Sequence, residues 1–140
     1  MSDKKRVLIL CTGNSARSQM AEGLLRHLAS DKYEVESAGT IASFVRPQAI
    51  AVMDEIGIDI SGHRSKSLDD FLGTPFDFVI TVCDNAAQNC PVFPGKATRI
   101  RWSFRDPAVA NGTGEEILQT FRRVRDEIRA KLAEFVGTNT

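Results

Sequence analysis

The chain has 140 residues, 42% of them apolar, and its 18 acidic and 18 basic side chains cancel to a formal net charge of zero. A chain of this length is expected to form one domain, residues 1–140, burying roughly 70% of its unfolded surface without disulfide staples. The charge balance gives no reason to expect a nucleic-acid or membrane partner, and no run approaches the roughly 20 apolar residues of a membrane span.

Met1-Ser2-Asp3-Lys4-Lys5 leads straight into a strand rather than a signal peptide, so the expected location is cytoplasmic. The first strand, from about Arg6 to Leu10, carries the unbroken apolar run of an element covered on both faces. It ends at Cys11, followed by Thr12-Gly13-Asn14-Ser15-Ala16-Arg17-Ser18. Helix one, from about Arg17 to Ser30, places Met20, Leu24 and Leu28 on one face.

A loop of small residues between a strand and a helix lets backbone amides converge, and the helix N-terminus adds attraction for an anion. Arg17 supplies a fork of donors at the same place. A thiol in such a nest is expected to be largely an anionic nucleophile. The bland alternative, a core thiol followed by a turn, leaves Arg17 and the hydroxyls of Thr12, Ser15 and Ser18 unexplained.

Tyr33 to Ser37 alternates as a strand, and Ala38-Gly39-Thr40 ends it. Arg46-Pro47 opens a second helix with Ile50, Met53 and Ile56 inward and Gly57 closing it. Residues 58–66 are expected to be irregular, and Ser67 to Leu72 a short capped helix. Phe76 to Val82 is a second buried strand, and it too ends in a cysteine, Cys83. Thr98 to Phe104 forms a fourth strand that delivers Arg105-Asp106-Pro107 into a loop. Thr113 and Glu116 form a capping box for the last helix, whose inward stripe is Ile117, Phe121, Val124, Ile128, Leu132 and Phe135. Arg122, Arg123, Arg125, Asp126 and Glu127 are assigned to its solvated side, and Trp102 to packing.

Strands alternating with helices imply an α/β three-layer sandwich, a four-stranded parallel sheet flanked by helices, with ligands beyond the carboxyl ends of the strands. Cys11, Cys83 and Asp106 fall at such ends. Three cysteines without secretory context argue against a structural disulfide framework and for thiol chemistry. They also lack an obvious fourth zinc ligand, His63 being the one other candidate, so no metal is expected.

The stretch Cys11 to Glu22, with Thr81-Val82-Cys83-Asp84, Asn89-Cys90-Pro91 and Asp106-Pro107-Ala108, resembles the arsenate reductases built on the low-molecular-weight protein tyrosine phosphatase fold. The resemblance implies that residues 12–18 bind arsenate, with phosphate or sulfate as competitors. Cys11 would be the nucleophile, Arg17 its anion clamp and Asp106 the general acid. It also implies a relay in which a Cys11–Cys83 disulfide gives way to Cys83–Cys90. Thioredoxin, or glutathione with glutaredoxin, would reduce that bond, with no tightly bound cofactor.

A helix over residues 84–89 would hold Cys83 and Cys90 on the order of 10 Å apart. Disulfide formation, which needs Cα atoms within about 7 Å, would then require that segment to bend. Asn14 would hold the loop in a left-handed turn and Ser18 would donate to Cys11. Some relatives bind a monovalent cation near Asn14, Glu22 and Ser37. Lys66 stands where an acid is expected, so that site is in question and the ammonium is the natural substitute. A monomer is expected. The alternative activity is hydrolysis of phosphomonoesters through Cys11, although Ala108-Val109-Ala110 lacks the aromatic residues such phosphatases place there. A non-catalytic anion sensor ranks lower.

Overall fold

The computed structural model describes residues 4–83, 97–107 and 110–138. Four strands run parallel in the order β2-β1-β3-β4: β1 (Lys5–Cys11), β2 (Tyr33–Gly39), β3 (Phe78–Thr81) and β4 (Thr98–Arg101). Three α-helices stand among the described residues: α1 (Arg17–Ala29), α2 (Pro47–Asp54) and α3 (Gly114–Thr138). A 3-10 turn, Leu68–Phe71, is the short capped element expected there, with Ser67 Oγ accepting from Asp69 N.

β1 lies inside the sheet, its Val7 to Leu10 side chains fully buried, as an unbroken apolar run between two covered faces requires. In register, Cys11 pairs with Gly39 of β2 and Leu10 with Thr81 of β3, so the carboxyl ends of three strands meet at one rim. The sequence pattern extends β3 and β4 further than the ladder does. Backbone bonds continue past the ladder, from Val82 N to Leu10 O, Trp102 N to Thr81 O and Phe104 N to Val82 O, and these explain the longer pattern.

The core departs from the expected stripes at three places. Leu28 is exposed, and the inward face of α1 runs instead through Met20, Ala21, Leu24, Leu25 and Ala29. On α2 the buried face is Ala49, Val52 and Met53, with Ile50 and Ile56 only partly covered. Arg125 is not solvated: its guanidinium donates to Val52 O at 2.7 Å and to Glu55 Oε1 at 3.1 Å, fastening α3 to α2. Arg122 adds a fork onto the same carboxylate, which holds Glu55 below the usual carboxylate range and raises Arg122.

Gly23 lets α1 approach this layer, since a Cβ there would come within 2.7 Å of Ile60 Cγ2. Phe135 of α3 meets Tyr33 and Phe78 with ring centroids 5.4 and 5.1 Å apart and touches Trp102, whose role is packing. No helix among the described residues is long and apolar enough to cross a membrane.

The capping box is formed in both directions, Thr113 N to Glu116 Oε1 at 3.1 Å and Glu116 N to Thr113 Oγ1 at 3.2 Å. Thr113→Ala is therefore expected to cost about 1 kcal/mol. In a thermal melt this lowers the midpoint by about 3–4 °C for a domain of this size.

Candidate active site

Cys11 closes β1, and α1 begins at Arg17 without any side-chain cap on its first turn. The loop between them is held from outside by its carbonyls. Cys11 O accepts from Thr40 N, Thr12 O from Ile41 N, and Gly13 O from the hydroxyls of Ser43 and Ser65. Asn14 O accepts from Gln19 Nε2 and Ser15 O from Arg46 N. In a trans peptide the N–H points opposite to the C=O, so five outward carbonyls leave the amides of residues 12 to 16 directed inward. Asn14 N points onto Cys11 Sγ at 3.2 Å. The uncapped helix start and inward amides form an anion cradle with the thiol at its floor.

Asn14 is fully buried, and its φ of 48° puts it in the left-handed region, which asparagine tolerates. Its Oδ1 accepts from Lys66 N at 2.7 Å and Gln19 Nε2 at 2.9 Å, which fixes which end of the side chain is the amide. Nδ2 therefore donates to Ser18 Oγ at 2.7 Å and to Ser37 Oγ at 2.9 Å. The Ser18 hydroxyl lies 2.8 Å from Cys11 Sγ, and against an ionised sulfur it is the hydroxyl that donates. An ionised sulfur would thus face two donors, Asn14 N and the Ser18 hydroxyl.

The far wall comes from the other half of the chain. Arg17, 11% exposed, donates to Phe104 O at 3.2 Å and pairs with Asp106 Oδ2 at 3.6 Å. Cys83, a buried thiol, lies 3.4 Å from the hydroxyl of Thr12, the residue that follows Cys11. The structure thus brings together residues 11 to 18, Cys83 and Asp106. Cys90 and residues 84–89 lie outside the described residues.

A model of the low molecular weight phosphotyrosine protein phosphatase family matches residues 6–139. The chain belongs to this family. An arsenate reductase from Shouchella clausii is 49% identical over 96% of this chain and 97% of its own. The solved structure of an arsenate reductase in the phosphate binding state has a TM-score of 0.78 at 33% identity, covering 97% of this chain and 99% of that one. A thioredoxin-dependent arsenate reductase from Corynebacterium glutamicum has a TM-score of 0.75 at 31% identity, covering 98% of this chain and 62% of its own.

The arrangement around Glu22 bears on the monovalent cation that the resemblance implies for some relatives. Glu22 accepts from Ser37 Oγ, and Lys66 Nζ stands 3.5 Å from Glu22 Oε1 and 3.4 Å from Glu36 Oε1. An ammonium already sits against the carboxylate, and a second cation there would be repelled. The residues present do not fit a resident cation.

Several supporting residues were not singled out by the sequence. Gln19 bridges Asn14 to Arg64 O and to His63 Nδ1, Ser43 and Ser65 hold Gly13 O, and Gly39 leaves room for the loop to pass. Gln19 stands in the quoted motif, but only the fold reveals its bonds. Because Gln19 Nε2 donates to Asn14, its Oε1 accepts, and His63 carries its proton on Nδ1.

At Gly39 any Cβ would lie 2.6 Å from Thr12 O and 2.7 Å from Asn14 N, both backbone atoms. Gly39→Ala should disrupt the cradle, read as loss of phosphate protection of Cys11 against alkylation. Burial holds His63 below its ordinary 6.5; Glu22 and Asp59 oppose that shift, while Arg26 and Lys66 reinforce it. The unfolded chain therefore takes up this proton first, so stability is full above about 6.5 and falls as pH drops toward the folded value. Thermal midpoints measured from pH 7.5 to 5 should decline more steeply for the parent chain than for His63→Gln.

Proposed function

We propose that this protein is an arsenate reductase in which Cys11, Cys83 and Cys90 pass two electrons from an external dithiol to arsenate. The observation that carries the reading is Cys83, a buried thiol 3.4 Å from the hydroxyl of the residue next to Cys11. Hydrolysis of a phosphoester needs water at that position, whereas reduction needs a second sulfur.

Arsenate is a tetrahedral oxyanion that the inward amides and Arg17 neutralise. The Cys11 thiolate attacks arsenic and expels one oxygen as water, with a proton from Asp106, leaving a sulfur–arsenic(V) adduct. To bind the anion Arg17 gives up part of its pairing with Asp106, which leaves that carboxyl facing the departing oxygen. The Cys83 thiolate then attacks Cys11 Sγ. The sulfur–arsenic bond breaks with its electron pair on arsenic, arsenite leaves, and a Cys11–Cys83 disulfide remains. Cys90 attacks Cys83, returning Cys11 as thiolate, and the Cys83–Cys90 disulfide awaits the reductant. Thioredoxin is the favoured reductant because the Corynebacterium glutamicum relative depends on it. Turnover supplied separately with thioredoxin or with glutathione and glutaredoxin tests that choice.

Cys11→Ser should abolish both arsenite production and any weak hydrolysis of an aryl phosphate, while Cys83→Ser should abolish reduction and spare hydrolysis. Asp106→Asn should slow turnover by about 10²–10⁴-fold. After one turnover without reductant, peptide mapping should find Cys83 joined to Cys90, and in Cys90→Ser it should find Cys11 joined to Cys83. Repeated turnover by Cys83→Ser would remove the relay.

A further inference from the structure

Behind the anion loop lies a charge that the thiol chemistry does not use. The Glu22 side chain is 3% exposed, and a carboxylate that deep in the fold requires a counter-charge. Three groups face it. Arg26 Nη2 is 3.1 Å from Oε2, but its side chain is 44% exposed and screened by solvent. His63 Nε2 is 3.7 Å from Oε2, with its proton on the other nitrogen. Lys66 Nζ is 3.5 Å from Oε1, its side chain 12% exposed, with the Phe71 ring 5.8 Å away. Lys66 is the enclosed positive charge.

The same residue grips the loop through its main chain, Lys66 N donating to Asn14 Oδ1 at 2.7 Å. Its side chain balances Glu22, which accepts from Ser37 Oγ, which in turn accepts from Asn14 Nδ2. Both ends of the Asn14 amide are therefore tied to Lys66, one directly and one through a charge pair. That amide donates to Ser18 Oγ, which leaves the Ser18 hydroxyl proton for a Cys11 thiolate 2.8 Å away.

We propose that Lys66 is a covalently built-in counter-ion for Glu22, replacing a dissociable monovalent cation, and that its charge positions Asn14 and Ser18 for the Cys11 nucleophile. Lys66 touches neither substrate nor sulfur, so it is a positioning residue. The proposal rests on Cys11 as the nucleophile in the proposed reaction, but not on which oxyanion it attacks. Its test therefore uses no arsenate.

Thermal midpoints and the rate of Cys11 carboxymethylation at fixed pH are measured in potassium chloride and in choline chloride at equal ionic strength, since choline is too large to enter the site. The parent protein should give the same values in both salts. Lys66→Met should alkylate Cys11 about ten- to a hundredfold more slowly, the effect of weakening one hydrogen bond to a charged atom. Lys66→Arg should restore most of the rate. Lys66→Asp should be more stable and faster in potassium chloride than in choline chloride, because a small cation can then enter among Glu22, Glu36 and the introduced carboxylate. If Lys66→Met does not fold, the salt response of Lys66→Asp and the rate of Lys66→Arg carry the test. A parent protein stabilised by potassium, a Lys66→Met variant with parental reactivity, or a Lys66→Asp variant indifferent to the salt would each overturn the proposal. Loss of arsenate reduction with these responses intact would instead overturn the assigned activity.

Discussion

Five carbonyls in a row, from Cys11 to Ser15, each find a donor outside their own loop, and this outward pull is the constraint on which the site depends. A loop that satisfied its carbonyls internally would turn its amides elsewhere and leave Cys11 beside carbonyl oxygens, which repel a thiolate. The donors come from three places: the chain beyond β2, the segment around Ser65, and Gln19 on α1. The sheet register brings them together, since Cys11 lies opposite Gly39 and the two backbones pass with no side chain between them.

A second layer of order comes from hydrogen direction rather than atom position. Asn14 has two acceptor-side and two donor-side partners, and its amide cannot flip without losing the bonds from Lys66 N and Gln19 Nε2. Each hydroxyl next to it is polarised as a result, Ser37 toward Glu22 and Ser18 toward sulfur. The buried charge pair and the reactive thiol are thus opposite ends of one chain of bonds. Such a chain is stiff because every member is satisfied.

Much of this was legible in the sequence because the relevant signals are local. The apolar run of β1, the small residues after Cys11, Pro47 at the start of α2 and the Thr113–Glu116 box each act over a few residues, and each stands in the fold as read. Leu28 and Arg125 were misplaced for a common reason: periodicity gives the spacing of a stripe, while neighbouring elements decide where it faces. Arg125 is covered because α2 ends beneath it, with Val52 O and Glu55 waiting for a guanidinium. Gln19, Ser43 and Ser65 act only through partners 5 to 52 positions away, contacts that no local pattern encodes.

The parallel strand order also divides the site by position along the chain. Every group that shapes the loop and orients its hydrogens lies between Cys11 and Lys66, whereas Cys83, Phe104 and Asp106 come from the later half. Synthesis runs from the N-terminus, and folding tends to begin there as the chain emerges. All the residues that direct hydrogens onto Cys11 are therefore made before a second cysteine exists in the chain. A chain grown only as far as Lys66 already carries the whole of this hydrogen-bonded frame and a single thiol, Cys11.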